Sequence, residues 1–144
     1  MTDEQKKYLD RFYEPDFTAY EFLTAFSAIY ASLGDYSFNR NAMIDFINHC
    51  KNNSLFTKIL EDISLKSNGV SYYSENYEEA ITRLRYGGIL YTISPEHDST
   101  VYIDEKLSIT DLLKDKKKYI DDVTNFINEY KNFENENKNS RILK

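Results

Sequence analysis

The sequence predicts a mostly α protein with one small antiparallel β-hairpin and a long C-terminal helix. Three observations predict it. Apolar residues recur at helical spacing over most of the 144 residues, and with only 4 Gly and 2 Pro there is little room for irregular loops. Residues 87 to 103, "GGILYTISPEHDSTVYI", break that rhythm: two short runs of β-branched and aromatic residues flank a polar loop. From about Ser108 a heptad pattern runs unbroken to Phe133.

The elements follow in order. Residues 3 to 13 read as a short helix with Tyr8, Phe12 and Tyr13 on its apolar side. Thr18 and Glu21 have the spacing of a capping box, and Phe22, Leu23, Phe26, Ile29, Tyr30 and Leu33 follow at helical intervals up to a stop at Gly34. A helix over 41–52 has Met43, Phe46, Ile47 and Cys50 on one stripe, and a shorter one is expected over 54–63 from Leu55, Ile59, Leu60 and Ile63. Ser67-Asn68-Gly69 is a turn signal, with Val70 and Tyr72 in a short extended segment after it. Ser74 caps the next helix, in which Tyr77, Ala80, Ile81 and Leu84 form one buried face, and Gly87-Gly88 ends it. Ile89 to Ser94 and Thr100 to Asp104 are the hairpin strands, around the loop Pro95 to Ser99.

In the last helix Ile109, Leu112, Lys116, Tyr119, Val123, Phe126, Tyr130 and Phe133 take the a and d positions, widened by Leu113, Ile120 and Ile127 at e. So broad a stripe is too apolar to leave wet, so a homodimer through residues 109 to 133 is expected, with Lys116 as the polar a position that fixes register. The expected organisation is a helical domain over 1–107, a dimerisation helix over 108–135 and a disordered polar tail over 136–144.

Composition bounds the class. At 41% hydrophobic and 29% charged the chain suits a folded protein rather than a disordered one, and 13 Tyr and 9 Phe supply an aromatic core without Trp. No run of 18 apolar residues exists, so no membrane span is expected. The polar stretch Met1 to Asp10 has no signal-peptide pattern, and the single Cys50 has no partner for an internal disulfide; a cytoplasmic setting is expected.

Residues 41 to 104 carry a resemblance. "SENYEEAITRLRYGGILYTIS" followed by "TVYIDE" resembles the second helix and wing of a winged helix–turn–helix. The chain departs from a compact motif at 64–73, where the turn is longer than three or four residues. The resemblance implies a winged-helix-like core and, in its usual use, a dimer with that helix in the DNA major groove. Lys66, Thr82, Arg83 and Arg85 would then contact DNA.

Charge opposes that use. Between Glu61 and Glu105 nine acidic residues face three basic ones, which accounts for the whole formal charge of −6. The outward face of the helix carries Glu75, Glu78 and Glu79, and the wing loop carries Glu96 and Asp98, which phosphates repel. The leading expectation is therefore a non-enzymatic regulatory or accessory protein that binds another protein. Those five carboxylates would supply charge, and Tyr72, Tyr73 and Tyr86 contact area. A dimeric DNA-binding regulator is the alternative.

No catalytic constellation is present. His49 and Cys50 are adjacent on a helix and point about 100° apart, so they do not face each other as base and nucleophile. Two histidines and one cysteine without ligand spacing predict no metal site, and no phosphate-binding glycine motif occurs. No cofactor or small-molecule substrate is expected. The basic run "KDKKK", Lys114 to Lys118, reads as a solvated helix face.

Overall fold

The computed structural model describes residues 17–92, 100–104 and 117–142, with side chains described up to residue 136. The expected helix over 3–13, the hairpin loop and the start of the last helix lie outside these residues. The described part is mostly α with a small antiparallel sheet, as expected.

Helix α1, Ala19–Ser32, is the centre of the fold. Its start is the expected capping box: Thr18 Oγ1 accepts from the Glu21 amide at 3.1 Å, and the Thr18 amide donates to Glu21 Oε1 at 3.2 Å. The helix is buried on nearly every side, Phe22, Leu23 and Phe26 completely. A helix apolar all round is one that other elements surround. It ends at Leu33, and Gly34 follows with φ +90°.

The chain then forms strand β1, Ser37–Asn39, which periodicity does not reveal. Asn39 Oδ1 accepts from the Ala42 amide at 2.9 Å and so caps α2, Arg40–Asn52. The helix expected over 54–63 is absent. That segment is a series of turns, with Ser54 and Phe56 both at φ 55°, a left-handed conformation that no α-helix contains. Its apolar spacing is nonetheless a burial signal: Ile59, Leu60 and Ile63 are in the core, while Leu55 is 43% exposed.

A two-residue ladder joins β2, Lys66–Ser67, to β3, Tyr72–Tyr73, around the expected turn, where Asn68 Oδ1 accepts from the Val70 and Ser71 amides at 2.9 Å. Ser74 then caps α3, Glu75–Tyr86, and Tyr77, Ala80, Ile81 and Leu84 are buried as expected. Gly88, at φ +78°, turns the chain into β4, Leu90–Tyr91. β4 pairs antiparallel with β5, Thr100–Ile103, and β1 adds to the other side of β5. Phe38, Leu90, Val101 and Ile103 face the core from this three-stranded sheet.

A 3₁₀ turn, Lys117–Tyr119, leads into α4, Ile120–Ile142. The helix runs to Ile142, into the stretch 136–144 expected as a polar tail. Tyr119, Val123, Phe126, Ile127 and Tyr130 are at most 5% exposed within a single chain. Phe126 lies against Phe22, Phe46 and Phe56, so α4 closes the same core that α1 and α2 build.

Candidate functional site

The expected binding face is the outer surface of α3 with the two hairpins beside it. Its acidic end is largely neutralised within the chain. Glu75 pairs with Lys66 across the start of α3, Nζ to Oε1 3.3 Å, both groups well exposed. Glu78 pairs with Arg40 at the start of α2, whose side chain is only 13% exposed. The same junction is tied by Tyr77, whose hydroxyl donates to the Arg40 carbonyl at 3.3 Å. Burial pushes the Tyr77 phenol far above its ordinary range, with Arg40 drawing it back in part. Glu78 is therefore part of a joint between helices, and Glu79 is the acid of this helix left exposed without a partner among the described residues. Glu96 and Asp98 lie outside the described residues.

The residues expected to contact DNA are dispersed. Lys66 is engaged by Glu75. The guanidinium of Arg83 lies 4.2 Å from the centroid of the Tyr20 ring on α1. Thr82 donates its hydroxyl to the Glu78 carbonyl at 3.0 Å, an ordinary bond of a helical threonine. Of the three cations, Arg85 is the one with no ion pair or ring contact among the described residues.

Arg85 lines a groove of about 370 Å³ together with Thr82, Tyr86, Leu90, Tyr91 and Thr92. Tyr86 stands 90% exposed at the end of α3, on the side of the helix opposite the buried Tyr77, Ala80, Ile81 and Leu84. On the outer face of the sheet Tyr91 stacks on Tyr102, centroids 5.5 Å apart and planes 19° apart. The pair lies directly across the β4–β5 ladder. Tyr72 and Tyr73, at 46% and 40% exposure, give β3 an aromatic surface of its own. Tyr91 and Tyr102 were not among the expected contact residues. Their signal is strand alternation, since Leu90 and Ile103 point inward and their neighbours must point out.

A second, smaller cleft joins α1 to α3. Asp62 Oδ2 accepts from the Ala19 amide at 2.7 Å, and its carbonyl accepts from Asn76 Nδ2 at 2.7 Å. Tyr20, Glu79 and Arg83 complete the cleft. Asp62 bonds to both the start of α1 and α3 there, which makes that part of the cleft a joint of the fold.

The expected dimer seam is turned inward where it is described. Tyr119, Val123, Phe126 and Tyr130 are spent on the chain's own core, so they leave no exposed apolar stripe for a second copy; Ile109, Leu112 and Lys116 lie outside the described residues. So broad a stripe is expected to pack by one edge on the chain's own core and to meet a second copy by the other; the described residues show the packing on the core, against α1 and α2.

Cys50 is fully buried, and desolvation, aided by Glu129, pushes its thiol up to about 12. His49 stacks on Phe46 and lies near Phe133. Among the described residues no group of three or more His, Cys, Asp or Glu is placed to hold a metal ion, and no helix is long and apolar enough to cross a membrane. Compared with protein-family models, curated proteins and solved structures, the chain matches none.

Proposed function

We propose that this chain is a non-enzymatic regulatory or accessory protein that binds another protein through the C-terminal half of α3 and the strand that follows it. The observation that carries this is the exposed Tyr86, set beside Arg85, Tyr91 and the groove between them. Tyrosine and arginine dominate the energetic centres of protein interfaces, because they bring large contact areas and directed hydrogen bonds at small entropic cost. The proposal moves the contact from the acidic start of α3 toward its end, because Glu75 and Glu78 already have cations. It also takes the architecture as winged-helix-like. What supports this is the order α1, β1, α2, α3, β4, β5, with the short β2–β3 ladder set between α2 and α3 and β1 completing the sheet. A cytoplasmic setting belongs to the same proposal, supported by a single cysteine kept buried and protonated.

The test is site-specific photocrosslinking in the native cell. A benzophenone amino acid replaces Tyr86 in one version of the full chain and Val70, 94% exposed at the tip of the β2–β3 turn, in another. A discrete protein adduct from position 86, absent from position 70 and lost with Arg85→Glu, supports the reading. Adducts to nucleic acid from position 86, or the same adducts from both positions, overturn it.

A further inference from the structure

We propose that Asn68 is a modification site, at which the β2–β3 turn promotes deamidation of its own asparagine to aspartate and isoaspartate. The chain has one Asn-Gly step, Asn68-Gly69, and both residues are exposed. In such a step the glycine nitrogen attacks the amide carbon of the preceding side chain. The attack needs an unshielded nitrogen, a route for its proton, and hydrogen bonds to the amide oxygen as that oxygen takes on negative charge. The turn supplies all three.

Gly69 lies at φ +88° with no Cβ over its nitrogen, and nothing beyond its chain neighbours is within 4 Å of where a Cβ would stand. Its N–H donates to Ser67 Oγ at 3.2 Å, so an exposed hydroxyl already holds the proton that must leave. Asn68 Oδ1 accepts from the Val70 and Ser71 amides, each at 2.9 Å. These bonds fold the side chain forward over the Gly69 peptide and point two donors at the oxygen where charge develops. The Asn68 amide donates in turn to the Ser71 carbonyl at 3.2 Å, which holds the step in place.

The step uses water alone as co-reactant. The Gly69 nitrogen bonds to Asn68 Cγ and gives its proton through Ser67 Oγ to solvent. The Cγ–Nδ2 bond breaks, and Nδ2 leaves as ammonia with a proton from water. Water then opens the resulting succinimide at Cγ, leaving aspartate, or at the main-chain carbonyl carbon, leaving isoaspartate. No atom is oxidised or reduced. Aspartate at position 68 keeps an oxygen for the Val70 and Ser71 amides and charges it, which strengthens both bonds. Isoaspartate inserts a methylene into the backbone between Ser67 and Tyr72, which face each other in the ladder. That product disturbs the register on which Tyr72, Tyr73 and the Ser74 cap of α3 are set.

The test incubates the full chain near neutral pH at physiological temperature and maps its peptides by mass spectrometry. An isoaspartate-specific methyltransferase with labelled S-adenosylmethionine marks the rearranged product. Conversion at Asn68 should run ahead of Asn53, which is also exposed but precedes a serine and donates its side-chain amide to the His49 carbonyl at 2.8 Å. An Asn-Gly step alone accounts for that order, so the same chain unfolded in guanidinium chloride isolates the turn. The native chain should convert about three- to tenfold faster than the unfolded one, a modest effect because water competes for the same donors. Ser67→Ala should slow the native chain about threefold and leave the unfolded rate unchanged, while Ser67→Thr, which keeps the oxygen, retains most of the native rate. Conversion in the native chain that is no faster than in the unfolded one overturns the proposal. A native Ser67→Ala rate equal to wild type overturns it as well, with circular dichroism showing that the variant is folded.

Discussion

Phe126 on α4 meets Phe22 on α1 edge to face, ring centroids 5.0 Å apart and planes at 88°. Both rings are completely buried, and Phe126 also lies against Phe46 and Phe56. The contact makes the last helix part of one core. Phe126→Ala should cost about 3–5 kcal/mol, the range for a truncated core aromatic. Val123→Asp, which places a carboxylate at a fully buried position, should abolish the fold. Circular dichroism with urea titration measures both. A Val123→Asp protein that stays folded, and is half the size of the wild type by light scattering, would return this face to a dimer seam.

That outcome bears on how much of the fold is legible from residues alone. Local signals read true: Thr18 with Glu21, Ser74, and Gly87-Gly88 set helix ends through bonds within one turn. The stripe from Tyr119 to Tyr130 says only that one face is buried; what buries it is decided by α1, far away in sequence. β1 is three residues long and exists because Phe38 lies opposite Val101, a pairing no local pattern encodes. The turns at 54–63 imitate a helix because Ile59, Leu60 and Ile63 are all needed in the core, and the left-handed Ser54 and Phe56 have no composition that announces them. The site is legible to the same degree. Exposure of Tyr86 follows from helical phase, but the partners of Glu78 and Arg83, on α2 and α1, do not.

Ser27 lies inside α1 at zero exposure, and its hydroxyl is the buried side-chain oxygen without a hydrogen-bond partner among the described residues. An unmade buried hydrogen bond carries its desolvation cost uncompensated. Ser27→Ala removes the oxygen, leaves little space behind, and puts the best helix former in its place. The variant should be more stable by about 1 kcal/mol, seen as a higher urea midpoint with an unchanged slope. A lower midpoint would show that the hydroxyl is satisfied.

Alkali should unfold the protein earlier than its charge alone suggests. Burial raises the Cys50 thiol from 9.0 to about 12 and raises the phenols of Tyr30, Tyr77 and Tyr130 well above 10.0. A folded-state pKa above the unfolded one means the folded chain holds protons that the unfolded chain releases. The stability tied to these groups is complete below pH 9.0 for Cys50 and 10.0 for the tyrosines, and is lost as pH rises toward their folded values. Urea midpoints should therefore fall progressively above about pH 9. In the native protein at neutral pH, Cys50 should not react with a thiol reagent until the chain is unfolded.

Two neighbouring glutamates on α3 should respond differently to the same substitution. Glu75 and its partner Lys66 are both exposed, and an ion pair in water adds little. Glu75→Lys should change stability by less than about 1 kcal/mol. Glu78 faces Arg40, whose side chain is nearly covered and whose carbonyl also receives the Tyr77 hydroxyl. Glu78→Lys places a second cation against a guanidinium that water reaches poorly, at the point where α3 crosses the start of α2. It should cost about 1–3 kcal/mol, less than a fully buried pair because Glu78 is itself half-exposed. Urea titration of the two single variants gives the comparison. Reversing the pair, Arg40→Glu with Glu78→Lys, isolates the interaction: a double variant more stable than the sum of the singles assigns the loss to the ion pair. Strict additivity would assign it to the helix and to the other contacts of Arg40.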